Sequence, residues 1–447
     1  MCSYKYSLIL ILIIFCKIIL SGDINNNRLC LKKVISNVKH PTTVIPWPLG
    51  KKLLIGEHAG IIRLIEEKGE ENISEEKSIF LNITDRVLTS SAPGEERGLL
   101  SFALDPHFIN NGFIYTCYSA ESSDRSMDHK TIISKFKSYF DDQEKIDKNS
   151  EEKILEIEQP GRRQNGGQIF FGKDGYLYIA TGDGGDLANK RFNKNSLLGK
   201  ILRINISCIS ISKKYCIPRD NPFLNAKHAK EEIYAYGFRN PWRCCLDPGD
   251  PFTGYGEGRI FCGDNGEEHP SEEINLVVSG GRYGWIELEE SKCSSLKQCQ
   301  IVFRESNLPS EDQLPLYEYT HPKGQAIVGI VVYRGQNIPF LNGAIVYADF
   351  VQGSLHYLEE ISNYQWISKD ISVELCKDEN KNLNGSFILG LCLDEEGEII
   401  VMKTQSLNSF SPTGILYRLI SQPVSSSSGG YYSSTLLITI LSLESLI

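Results

Sequence analysis

The chain has 447 residues, 41% apolar and 23% charged, which is ordinary globular composition with room for two or three average domains or one repeat-built β fold. A net charge of −9, with no Lys/Arg cluster and no aromatic stacking platform, argues against nucleic acid as a partner. An anionic membrane surface also repels such a chain unless something covalent holds it there.

Residues 1–21 read as a secretory signal: Lys5, an apolar run over 6–16, then the small residues Ser21 and Gly22. Lys17 interrupts the run, leaving it short of the roughly 20 apolar residues of a transmembrane helix. Secretion implies an oxidising compartment, and eleven cysteines remain once Cys2 and Cys16 leave with the signal. Cys208 with Cys216 and Cys293 with Cys299 suit short disulfide loops, while Cys244 and Cys262 bracket an expected hairpin. Pairing stays open at this level, and the odd total implies a free thiol. Zinc is the rival reading, without a CxxC spacing or Cys/His alternation to support it. Sequons at Asn72, Asn82, Asn205 and Asn384 fit a glycosylated surface.

From residue 22 to 420 a strand–turn–strand pattern recurs. Its copies are 53–67 around His58-Ala59-Gly60, 99–118 around Asp105-Pro106, and 169–181 around Asp174-Gly175. Next come 233–262 with a long insert, 344–358 around Gln352-Gly353, and 388–402 around Glu396-Gly397. Tight hairpins need the positive φ that Asp-Gly supplies. Without an amphipathic helix of three turns, six four-stranded sheets of about 60 residues account for this span. The expected fold is all-β, a six-bladed β-propeller, with two β-sandwiches as the alternative. Lys-rich acidic stretches at 66–77 and 141–153 read as solvated loops.

Four clusters could carry chemistry. Glu95-Glu96-Arg97-Gly98 precedes an apolar strand and reads most simply as a loop. Gln164-Asn165-Gly166-Gly167-Gln168, with glycines at 182, 184 and 185, is either a pocket or a crowded strand start. Arg239-Asn240 offers donors for a carboxylate or a quinone oxygen, or else a buried ion pair. Glu272-Glu273, with the glycine turn around Tyr283, offers hard oxygens of the kind calcium takes, or else a solvated strand edge. Among the histidines, His107 and His269 read as packing and loop residues, while His321, ahead of the Val332-Tyr333-Arg334-Gly335 strand, is the best candidate for a base, with a surface or capping role as the other reading. At the C-terminus, residues 421–447 hold small serines at 425–427, a polar spacer and an apolar tail from 436, interrupted by Glu444. That order matches a glycolipid-anchor (GPI) signal, with a disordered end as the alternative.

The motifs ERGLL, LDPHF, NGGQ, FGKDGYLYIATGDGG, LLGKILRI, IPRDNPF, IYAYGFRNPWRC, EEIN, GGRYGW and VYRG run in this order. Over about residues 30–420 the chain resembles the glucose/sorbosone dehydrogenase family of soluble quinoprotein sugar dehydrogenases. It is most similar to the hedgehog-interacting-protein-like branch, through FCGD after WRC, the Cys293–Cys299 loop and the serine-rich tail. The resemblance implies a six-bladed propeller in which a histidine takes a proton from a sugar hydroxyl while hydride passes to pyrroloquinoline quinone (PQQ). Gln164 stands at that histidine's position, and an amide has no lone pair that titrates near neutral pH. Arg239 and Asn240 match the pair that contacts the quinone, and Glu273 with Tyr283 the calcium-binding carboxylate and carbonyl. Glu96 replaces a cofactor-contacting amide. The expectation is a secreted or cell-surface monomer that binds a sugar, cell-wall or protein ligand with weak or no catalysis. The alternative is a PQQ- and calcium-dependent sugar oxidoreductase.

Overall fold

The computed structural model describes residues 27–66, 77–185, 191–208, 214–266, 271–284, 312–320, 325–362, 365–376 and 386–423. Residues 1–21, for which a signal was expected, and Asn72, Cys293, Cys299, Asn384, His269, His321 and residues 424–447 lie outside them. The chain divides into Cys30–Ile420 and a second unit of the two chain ends, Met1–Leu29 with Ser421–Ile447.

The first unit is the six-bladed propeller. Blade 1 comprises Pro41–Pro46, Lys52–Glu57, Ile61–Glu66 and Lys77–Asn82. Blade 2 comprises Leu99–Leu104, Phe113–Ala120, His129–Ser138 and Ile146–Gln159. Blade 3 follows with Gly166–Phe171, Leu177–Thr181, Lys200–Ile204 and Ile233–Tyr236, and blade 4 with Pro241–Leu246, Ile260–Asn265, Ser271–Val277 and Tyr317–Thr320. Blade 5 holds Ile327–Val332, Ile345–Asp349, Leu355–Ser362 and Gln365–Ile371. The inner strands pack in a closed circuit, each against the next and the sixth against the first.

The core lies between blades rather than inside one. Tyr115 and Ile133 of blade 2 pack with Ile169, Ile179 and Leu202 of blade 3, and Tyr178 and Ile201 of blade 3 with Cys244 and Ile260 of blade 4. Middle strands are therefore covered on both faces. Leu177–Thr181 and Lys200–Ile204 are buried at every residue, which explains their near-continuous apolar runs.

Blade 6 closes the ring. Its order is Val373–Leu375, Asn27–Val38, Gly414–Pro423, Ile399–Thr404 and Phe387–Leu393, so a strand from the beginning of the chain lies inside the last blade. Within the propeller unit a disulfide joins Cys30 to Cys376 across 346 residues. Two more join Cys208 to Cys216 and Cys244 to Cys262. Cys117, Cys245 and Cys392 are free.

All six inner strands lose register at the same place. Pro41 pairs with Glu57 and Thr43 with Gly56, so Thr42 is an extra residue. The same count leaves Leu100, Trp242, Val328 and Leu389 as bulged residues in blades 2, 4, 5 and 6. Blade 3 sets two residues, Gly167 and Gln168, against Ala180 alone between Gly166 and Ile169. A bulge bends its strand and re-aims a side chain, and here it does so six times around one axis.

Two expectations need correction. The unit at 233–262 is not one hairpin: Ile233–Tyr236 pairs with Lys200–Ile204 in blade 3, whereas Pro241–Leu246 pairs with Ile260–Asn265 in blade 4. An apolar run, a glycine and another apolar run look alike whether the chain turns back or crosses to the next blade. The stretch at 141–153 is not all loop, because Ile146–Gln159 is the outer strand of blade 2. Its charged residues belong to a solvated edge strand, where charge discourages pairing with another chain.

Replacing both Cys30 and Cys376 by serine should lower stability by about 2–5 kcal/mol, the usual effect of losing a native disulfide. Urea unfolding is the measurement; an unchanged midpoint would show that the ring closes without this bond.

Candidate functional site

The bulged residues converge on a cavity of about 270 Å³ at the head of the inner strands, lined by Thr42, Leu100, Trp242, Val328 and Leu389. Gly94 and Arg163 are its exposed members, whereas Leu100 and Arg243 are buried. Gln164, Asn240, Glu95, Glu96, His40 and His58 also line it. All belong to the propeller unit.

Gln164 takes a left-handed backbone conformation, φ 55°, directly ahead of the blade 3 inner strand. Its carbonyl accepts from Gly184 N–H at 2.9 Å, and a Cβ on Gly182 would lie 1.9 Å from that carbonyl oxygen. Glycine at 182 is thus required by close approach of the backbone. Asn165 Nδ2 donates to the Arg162 carbonyl, and Gly166 N–H donates to Asn240 Oδ1 at 2.9 Å, tying blade 3 to blade 4. The cluster is therefore both a crowded strand start and part of the cavity wall.

Asn240 lines the cavity, and Arg239 does not. Arg239 Nη1 donates to the Asn265 carbonyl at 2.9 Å. Both backbone N–H groups of the pair donate to Asp264, at 3.0 and 2.6 Å, so this carboxylate holds the turn that carries them.

At the mouth, Glu95 pairs with Arg97 and Arg162, while Glu96 lines the cavity. The two histidines beside them are absent from the sequence-derived candidates. The His40 and His58 rings lie against each other at a tilt of 53°, centroids 5.2 Å apart. Ser409 Oγ lies 2.8 Å from His58 Nδ1, and a His58 ring N–H donates to the Glu96 backbone carbonyl. Burial pushes His58 down to about 4 against that hydrogen bond, and burial with the neighbouring His58 pushes His40 down to about 3. Both imidazoles are neutral at pH 7. His40 stands two residues ahead of its bulge, as Asn240 does. That register was the available signal, and it needs the bulge positions to be known.

Behind the bulges lies Arg243, the residue after Trp242. Its Cζ sits 4.9 Å from the Trp242 ring centroid. Its Nη2 donates to the Thr42 carbonyl at 3.0 Å, spanning 201 residues and reaching from blade 4 to blade 1 on the opposite side of the ring.

Glu273 lies in blade 4, with Asp264 opposite it on one neighbouring strand and Glu318 on the other. Burial first, and then Asp264, raises Glu273 to about 8, and burial raises Asp264 and Glu318 as well. Asn275 Nδ2 donates to Glu273, leaving Asn275 Oδ1 buried without a partner among the described residues. Tyr283 stacks on Phe238 at 4.3 Å and donates its hydroxyl to the Leu276 carbonyl. Its own carbonyl abuts Gly237, where a Cβ would lie 2.3 Å from it. Among the described residues, no three His, Cys, Asp or Glu side chains form a metal cluster.

Since His58 titrates near 4 folded and near 6.5 unfolded, the unfolded chain holds more protons between those values. Stability should be complete above about pH 6.5 and decline as pH falls through about 4, by on the order of 3 kcal/mol from this residue. Denaturant unfolding of His58→Gln should show a shallower decline across that window; matching slopes would contradict a neutral buried imidazole.

The sequence profile described as Glucose / Sorbosone dehydrogenase matches residues 38–375. Mouse Hedgehog-interacting protein is 27% identical over 408 residues, covering 88% of this chain and 53% of that protein. The HIPL2 protein of Arabidopsis thaliana is 31% identical over 342 residues, covering 65% of this chain and 47% of that protein. The chain therefore spans about half the length of these relatives. A solved structure of PQQ-bound aldose sugar dehydrogenase from Streptomyces coelicolor superposes with a TM-score of 0.61 at 18% identity, covering 89% of this chain and 98% of that one, a likeness of fold. With the profile spanning most of the propeller, this chain belongs to the glucose/sorbosone dehydrogenase family.

Proposed function

We propose that this chain is a ligand-binding member of the family that does not turn over sugar. The observation that carries the reading is that, among the described residues, no histidine lining the cavity is basic enough to act near neutral pH. Gln164 offers an amide, and the two imidazoles present, at about 3 and 4, are too weakly basic for proton abstraction near neutral pH. Charge supports the same conclusion. The lining offers two guanidinium groups, Arg163 at the exposed rim and Arg243 in the wall, and it also carries Glu96, while Glu95 is already paired with Arg97 and Arg162. That balance does not suit a tricarboxylate quinone. Asn240 Oδ1 is committed to Gly166, and Arg239 is turned toward Asn265. These residues do not fit the quinone. The three disulfides support a place outside the cell, in an oxidising compartment.

Calcium fits better. Glu273 is a buried carboxylate between two acids, and the orphaned Asn275 Oδ1 beside it is a second hard oxygen. Glu273, with the Tyr283 carbonyl, would hold the ion and relieve the like-charge row.

Two measurements test this reading. Wild type and Gln164→His, supplied with PQQ and calcium, are assayed for dye-linked oxidation over a sugar panel. Wild type should show no sugar-dependent dye reduction, a missing general base costing about 10²- to 10⁴-fold in rate; turnover comparable with the variant would overturn the proposal. Separately, calcium should raise the Tm of wild type but not of Glu273→Gln. An equal rise in both would remove Glu273 from the cation site.

A further inference from the structure

Arg243 presents a charge that has no counter-ion among the described residues. Its side chain lies on the cavity wall and the residue is 6% exposed. Among the described residues no carboxylate forms a salt bridge with it. Of its five N–H donors, one bonds to the Thr42 carbonyl and one to the Trp242 carbonyl. Its remaining neighbours in the channel include the thiols Cys117 and Cys392, which stay protonated because burial raises them well above their usual range. Burial draws Arg243 itself down to about 10, which still leaves it charged at pH 7. A buried cation without an anion is strongly unfavourable, because desolvation is not repaid by a partner.

Around this charge the wall is apolar. Leu100, Trp242, Val328, Leu389 and Phe350 surround the space, and four of the five are aimed there by their blade's bulge or stand at it. Several polar groups that also line the cavity are already bonded within the fold, Asn240 Oδ1 to Gly166, Glu95 to Arg97 and Arg162, and His58 to Ser409 and the Glu96 carbonyl, so sugar hydroxyls set against the apolar part of the wall would be desolvated without compensation. It suits a compact apolar body. A guanidinium with N–H donors to spare suits a carboxylate, with which it forms charge-assisted, two-pronged hydrogen bonds.

We propose that the central cavity binds a small organic monocarboxylate, its carboxylate on Arg243 and its apolar body against the bulged residues. This rests on reading the cavity as a binding site, and it names the ligand class that such a site would take. Arg243 would then be charged for the ligand's sake, at a cost to the unliganded fold.

The test is calorimetric titration of the full chain with phenylacetate, cyclohexanecarboxylate and hexanoate, each against its neutral amide, and with glucuronate as a hydroxyl-rich acid. The acids should bind about tenfold or more tightly than the amides, the scale of a charge-assisted hydrogen bond. Glucuronate should bind more weakly than phenylacetate, and Arg243→Met should lose the preference for acid over amide. Equal binding of acid and amide, an undiminished preference in Arg243→Met, stronger binding of glucuronate, or no binding by any probe would each overturn the proposal. Should Arg243→Met fail to fold, the acid–amide comparison on wild type, repeated with Arg243→Gln, decides the matter. Dye reduction with PQQ would sink the non-catalytic reading, whereas equal affinity for acid and amide sinks the carboxylate assignment alone.

Discussion

The circular closure of the inner strands is the constraint on which the rest of the structure depends. A blade cannot cover its own faces, so its apolar side chains are buried only when the next blade arrives, and the sixth must meet the first. Asn27–Val38 lies inside the last blade, and Cys30–Cys376 links residues from near the start of the chain and beyond blade 5. With closure secured, the middle strands can be apolar on both faces. Without it, those same strands would be exposed sheet faces and edges.

Closure also creates the site. Six strands meeting around an axis would fill it with side chains if they entered in regular register. One extra residue near the start of each strand turns Thr42, Leu100, Trp242, Val328 and Leu389 toward a common space. Polar groups at the strand heads are held by their neighbours: Asp264 fixes the Arg239-Asn240 turn, and Asn240 fixes Gly166. In this chain Arg239, Asn240 and Gly166 are thus bonded into the fold itself. The proposed binding chemistry rests instead on Arg243 in the cavity wall and on the buried carboxylate Glu273.

Neutral histidines complete the picture. His40 and His58 occupy a cavity where a base would be useful, but burial makes the charged imidazole unfavourable. A histidine in a pocket is therefore insufficient evidence of acid–base function. Its surroundings decide whether it can accept a proton.

Local patterns determined a good deal by themselves. Alternating apolar residues and glycine turns marked strands, and six repeats over this length implied the propeller, because hairpins are encoded by neighbouring residues. Gln164 was legible as the residue that heads a recognisable motif, and the cavity it lines became visible only in the fold. Tertiary structure alone decided where one blade ends, since 233–262 reads as a hairpin until strand pairing assigns its halves to two blades. It alone decided that His40 and His58 share the cavity, and that Arg243 reaches a carbonyl 201 residues away. The physical reason is that a ring brings together residues from blades distant in sequence, and each blade's own pattern carries no record of what it will face across the axis.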